Sequence, residues 1–208
     1  LFVLTILSMT GPLSAQETAS VIRLDPALDA IVGVNANIEK VVTGQRFVEG
    51  PVWIANGGYL VFSDIPANKI YRWNPVDERV TVLLDPSGFT GMDATGVGRE
   101  VNEGGDVFYN IGSNGITLDA DGRLVFNAMG DRQVVRQELD GTRTTLASHY
   151  QGKRLNSGND LVYRSDGTLY FTDPPSGLRG SDADPGKELD FNGVFMLKGS
   201  DLQLVTRE

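Results

Sequence analysis

Along most of the chain, apolar and polar residues alternate in short runs bounded by Gly, Asn, Asp and Pro, and this period of two predicts β-strands rather than helices. Three stretches share one layout: Glu49-Gly-Pro-Val-Trp53 with Gly58-Tyr-Leu-Val-Phe-Ser-Asp64, Asn114-Gly-Ile-Thr-Leu118 with Gly122-Arg-Leu-Val-Phe126, and Asn159-Asp-Leu-Val-Tyr163 with Gly167-Thr-Leu-Tyr-Phe-Thr-Asp173. In each, a short apolar strand runs into a polar turn ending in Gly58, Gly122 or Gly167, and a second alternating strand follows. Such turns need a positive φ, which Gly supplies without steric cost, so each stretch opens with a β-hairpin.

Two further alternating strands follow each hairpin, at 69–73 and 79–84, at 133–139 and 142–146, and at 193–197 and 202–205, the last pair after a polar loop at 181–187. Four antiparallel strands per repeat make a propeller blade. The expected architecture is all-β: a β-propeller with blades at 49–85, 113–148 and 158–208 and a lone strand at 38–42 that completes the final blade and latches the ring. Rings have roughly 4 to 8 blades, so three give an incomplete ring. The hairpin glycines are spaced unevenly, by 64 and then 45 residues, and the excess falls in a Gly-rich connection at 86–112 expected to arch over one face. An irregular sandwich is the structural alternative, but it does not account for the recurring order of strand, Gly turn and strand.

Composition fits this class and bounds the partners. Of 208 residues, 25 are Gly and 9 are Pro, which suits many short strands joined by tight turns. Residues 1–15 carry no charge and run through a Leu-rich apolar segment to Pro12, Leu13, Ser14 and Ala15, the pattern of an export signal peptide truncated at its start, with a lead-in at 16–37. The run is shorter than the roughly 20 residues of a membrane span, so the mature chain is expected to be exported, periplasmic or secreted, with no membrane attachment. The absence of cysteine excludes disulfides, thiolate metal sites and a cysteine nucleophile. A net charge of −9 disfavours nucleic acid and anionic membranes and suits a neutral ligand or a cation.

The candidate chemistry lies at one repeated position. Glu49, Asn114 and Asn159 stand 9, 8 and 8 residues before the hairpin glycines, immediately ahead of each innermost strand. Innermost strands surround a propeller axis, so these side chains are expected to converge at one mouth of the channel. A carboxylate with amide oxygens is the ligand set of a hard cation such as Ca2+ or Mg2+, water filling the open positions. Asn114 could instead shape a turn with Gly115, and Asn159 could cap a loop before Asp160; Glu49 has no turn preference. Other chemistries have little support. The single histidine, His149, has no Gly-x-Ser-x-Gly partner motif, Gly96-Val-Gly98 lacks a third Gly, and turn chemistry accounts for the Asp pairs at 119 and 121 and at 182 and 184.

Several longer phrases resemble the gluconolactonase and senescence-marker-protein (regucalcin) family: Phe47-Val-Glu-Gly-Pro-Val-Trp53, Ser113-Asn-Gly-Ile-Thr117, Gly152-Lys-Arg-Leu-Asn-Ser-Gly-Asn-Asp-Leu161 and Tyr170-Phe-Thr-Asp-Pro-Pro175. The resemblance covers residues 38–208 and implies a six-bladed propeller that opens sugar lactones, such as glucono-1,5-lactone, around one divalent cation, Ca2+ first and Mg2+, Mn2+ or Zn2+ as alternatives. It implies that Glu49 and Asn159 are metal ligands and that Asn114, Arg154 and Asp160 contact substrate. The family's remaining ligands, an Asn and the Asp that is the usual candidate for the catalytic base, have no counterpart before Glu208. Met129 stands where gluconolactonase-like members often carry His. A non-catalytic binding propeller and another propeller hydrolase or synthase are the alternative functions, since fold alone does not fix chemistry.

Overall fold

The computed structural model describes residues 21–207, and the expected leader at 1–15 lies outside the described residues. The chain divides into two units, Leu1–Val41 and Val42–Glu208. In the first, a 3₁₀ helix spans Pro26–Ala30. Asp25 caps it by accepting the Ala27 N–H at 2.7 Å, with Pro26 at the first helical position, where a missing N–H costs nothing. Arg23 closes the segment with an ion pair to Asp29 at 2.6 Å. The strand expected at 38–42 does not form: this stretch is irregular and mostly exposed. A strand is held by its ladder partner, and no partner strand pairs with these residues among the described ones.

The second unit holds three four-stranded antiparallel sheets, each a simple meander. The first contains β1 (Val48–Ile54), β2 (Tyr59–Asp64), β3 (Lys69–Asn74) and β4 (Arg79–Leu84). The connection that follows carries an unforeseen hairpin, β5 (Glu100–Glu103) and β6 (Asp106–Tyr109), turning at Gly104 and Gly105, both at positive φ. The second sheet contains β7 (Ser113–Leu118), β8 (Leu124–Ala128), β9 (Gln133–Gln137) and β10 (Arg143–Ala147). A two-stranded link, β11 (His149–Tyr150) with β12 (Lys153–Arg154), leads to the third sheet: β13 (Leu161–Tyr163), β14 (Leu169–Asp173), β15 (Gly193–Lys198) and β16 (Asp201–Arg207). The three hairpin glycines, Gly58, Gly122 and Gly167, have φ of 61°, 78° and 81°, as their turns require.

Hydrophobic burial lies between successive sheets. Val61 and Ile70 of the first sheet meet Ile116, Phe126, Ala128 and Val135 of the second. From the opposite face of the second sheet, Val125 and Val134 meet Leu161, Leu169, Phe171 and Phe195 of the third. Adjacent residues Val125 and Phe126 thus point into different cores, which is why β8 is apolar at successive positions instead of alternating. The outer faces of the first and third sheets are more open, with Trp53 50% and Val162 60% exposed.

Backbones approach most closely along the inner strands, with β7 lying between β1 and β13. A Cβ on Gly50 would sit 2.6 Å from the Asn114 carbonyl oxygen, and one on Gly115 would sit 2.7 Å from the Asn159 carbonyl oxygen. The same close approach lets the Gly115 N–H donate to that Asn159 oxygen at 2.7 Å. Glycine is required at both positions because no side chain fits between the strands.

Two buried carboxylates fix the segments that lead into the inner strands. Asp64, at the end of β2, accepts the N–H groups of Arg46 and Phe47 at 3.3 Å each, and Asp173, at the end of β14, accepts that of Asn156 at 2.7 Å. Asp173 is fully buried, and loss of hydration pushes its carboxyl up to about 6, against the opposing pull of backbone N–H groups and of Arg132 and Lys187. The folded chain therefore holds a proton on Asp173 between about pH 3.8 and 6 that the unfolded chain releases, so this residue's contribution to stability is full below that window and lost as pH rises through it.

Two outcomes are expected. Gly115→Ala lowers unfolding free energy by about 1–3 kcal/mol through overpacking, read as a lower urea midpoint at unchanged slope. Relative to Asp173→Asn, the wild type loses up to about 3 kcal/mol of stability between pH 4 and pH 7. Urea titrations of both proteins across that range measure the difference; parallel pH profiles would count against a raised Asp173.

Candidate functional site

Each inner strand is irregular at its start. The β1–β2 register shifts between Glu49 and Val52, and the β7–β8 register shifts between Ser113 and Ile116, so Glu49-Gly50-Pro51 and Asn114-Gly115 form bulges. In the third sheet, Asn159 and Asp160 precede β13 and are tied to Thr172 instead: the Asn159 N–H donates to the Thr172 carbonyl at 2.9 Å and the Asp160 N–H to the Thr172 hydroxyl at 3.1 Å. A bulge re-aims a side chain out of the strict alternation of a strand. The three candidate ligands therefore occupy the three places where the inner strands leave regular pairing.

The structure brings them together. Glu49, Asn114 and Asn159 line one pocket of about 190 Å³ with Gly50, Pro51, Gly115, Ile116 and Asp160. Asn114 is 3% exposed and belongs to a strand, which removes the turn-former reading, while Glu49 and Asn159 are half-buried. Asp160 is more open, and one of its oxygens accepts the Leu161 N–H at 2.8 Å. No Lys or Arg lines this pocket, so its charge is that of the carboxylates. Among the described residues no three His, Cys, Asp or Glu side chains gather into one cluster. A cation here would accordingly rest on few carboxylates, with amide oxygens and water completing its shell, a donor set that suits a hard divalent ion.

Arg154 is placed elsewhere: it does not line this pocket, its guanidinium donates to the Asp131 carbonyl at 3.1 Å, and its N–H donates to Glu188 at 2.8 Å. His149 is exposed in β11, with Nδ1 2.9 Å from the Ser148 hydroxyl. Met129 is buried beneath the loop at Gly177, where a Cβ on that glycine would come within 2.4 Å of it. Asp119 accepts the N–H groups of Asp121 and Arg123 at 3.0 and 2.9 Å, the turn chemistry expected of it.

A buried polar layer behind the pocket was missed in the sequence. The Ser63 hydroxyl donates to the Asn114 carbonyl at 2.8 Å and shares a 2.7 Å hydrogen bond with the Ser113 hydroxyl, while Ser87 accepts the Ser113 N–H at 3.0 Å. Asn68 accepts the N–H groups of Ser87, Gly88 and Phe89 at 3.2, 2.7 and 3.1 Å. Its counterpart in the second sheet, Arg132, donates to the carbonyls of Leu155, Asn156 and Gly186 at 2.7, 2.9 and 2.8 Å. Both residues have positive φ, 56° and 60°, and both stand ten residues after a hairpin glycine. That shared offset was a readable signal, hidden because Asn and Arg are chemically unlike.

Residues 47–206 match the family model described as SMP-30/Gluconolactonase/LRE-like region. The chain is 39% identical over 176 residues to a gluconolactonase from Zymomonas mobilis, an alignment covering 84% of this chain and 46% of that protein, so the chain spans about half the length of this curated relative. Among solved structures, a gluconolactonase from Xanthomonas campestris superposes with a TM-score of 0.67 at 31% identity, covering 88% of this chain and 55% of that one. A putative gluconolactonase superposes with a TM-score of 0.66 at 24% identity, over 86% and 56% of the two chains, and supports the fold. With the repeated sheets, the shared motifs and a family match over most of its length, the chain belongs to the SMP-30/gluconolactonase/LRE-like family.

Proposed function

We propose that the intact protein is a metal-assisted sugar-lactone hydrolase built on a six-bladed propeller of which these residues supply three blades. The observation that carries this reading is the convergence of Glu49, Asn114 and Asn159 on one pocket from three successive inner strands, in a chain similar to gluconolactonases over most of its length.

Glu49 and Asn159 would hold one divalent cation, Ca2+ first, through a carboxylate and an amide oxygen. When bound, the cation would supply Lewis-acid stabilisation to the negative charge that develops on the lactone carbonyl oxygen. The protein's own residues supply orientation. Asn114 is held by Ser63 through its backbone and lines the pocket, where its amide would bond a sugar hydroxyl. Asp160 offers an acceptor on the open side, and Gly50 and Gly115 let the backbone line the wall without side chains. Arg154 would reach substrate only after releasing the Asp131 carbonyl. The catalytic base is assigned outside these 208 residues. Export of the protein is proposed on its apolar start.

In the intact protein, Glu49→Gln should reduce lactone opening by at least about 100-fold. The assay is glucono-1,5-lactone hydrolysis followed by acid release, with and without chelator. The wild-type rate should fall on chelation and recover on adding Ca2+; a chelator-insensitive rate, or an unchanged rate in Glu49→Gln, would overturn the assignment.

A further inference from the structure

Asn127 is fully buried in β8, and neither its amide nitrogen nor its amide oxygen has a hydrogen-bond partner. A buried polar group left unpaired costs about 1–3 kcal/mol, so an apolar residue of similar volume would make a more stable sheet. The side chain faces Gly158, where an added Cβ would lie 2.1 Å from the Asn127 amide oxygen. Gly158 immediately precedes Asn159, whose carbonyl takes the Gly115 N–H. The same arrangement is already hydrogen-bonded one sheet earlier. Ser63 and Asn127 both stand five residues after their hairpin glycines, and Ser63 bonds the Asn114 carbonyl at the start of the next sheet's inner strand.

We propose that Asn127 is the positioning residue for Asn159: its amide, turned onto Gly158 from the second sheet, sets through its polar end rather than its bulk where the third sheet's amide stands in the pocket, as the Ser63 hydroxyl does for Asn114. Two buried side chains of the second sheet then hold this segment, Arg132 through the carbonyls of Leu155 and Asn156 and Asn127 at Gly158. Arg132 has made most of its bonds and serves the fold. The amide of Asn127, unpaired at both its nitrogen and its oxygen, disfavours stability and faces the segment that carries Asn159. The proposal rests on the cation-site reading for its functional consequence, although its structural part does not.

The test compares wild type, Asn127→Leu and Asn127→Ser in the intact protein. Leu keeps the volume and removes the unpaired amide, so its melting temperature should equal or exceed that of wild type. Its Ca2+ affinity, measured by calorimetry, should fall by about 10- to 100-fold, and the Gly115 amide, whose acceptor is the Asn159 carbonyl, should exchange faster with solvent. Asn127→Ser, carrying the residue type found at 63, should recover part of both. Unchanged exchange at Gly115 in Asn127→Leu would overturn the proposal, as would a lower melting temperature with an unaltered pocket, which marks Asn127 as filling only. Should wild type bind no Ca2+, the cation reading fails while the exchange at Gly115 still decides the positioning role.

Discussion

The structure depends on backbone contact between successive inner strands, made where Gly50 meets Asn114 and where Gly115 meets Asn159. Side chains normally hold neighbouring sheets apart, and here the missing Cβ atoms let them close until a main-chain hydrogen bond spans the gap. That closeness sets the spacing of the sheets along the inner strands, and the apolar cores around Val61 and Phe126 and around Val125 and Phe171 fill the space between successive sheets. It also decides the chemistry. Residues next to the contact points, Glu49, Asn114 and Asn159, are brought around one small space because their own backbones are pinned there.

Polar burial completes the arrangement. Asp64 and Asp173 collect the N–H groups of the incoming segments, and Asn68 and Arg132 clamp the connections that follow their strands. These groups are expensive to desolvate, as the raised Asp173 carboxyl shows, yet each holds a stretch of chain that has no ladder of its own. The inner strands lose regular pairing where the pocket lies, as the outer strands do at Ile70, Thr145 and Val194, and polar side chains hold the segments that lead into the inner strands.

Much of this was legible in the sequence, because strand alternation and the glycine turns report directly on backbone geometry. The order of strands in all three sheets follows from those signals, and so does the convergence of Glu49, Asn114 and Asn159. What stayed hidden depends on partners distant in sequence. The β5–β6 hairpin rests on weakly patterned residues, and the residue types differ within each pair that shares a position, Ser63 with Asn127 and Asn68 with Arg132. The strand expected at 38–42 failed for a related reason: its alternation is real, but a strand exists only with something to pair against.

The central claim is that consecutive inner-strand starts build one cation-binding pocket. An anomalous-difference map from crystals of the protein soaked in Mn2+, a stand-in for Ca2+ with a measurable anomalous signal, tests it directly. The account predicts a single strong peak within coordination distance of the Glu49 carboxylate and the Asn159 amide oxygen. A map with no peak in that pocket, or with its main peak at another group of side chains, would contradict it.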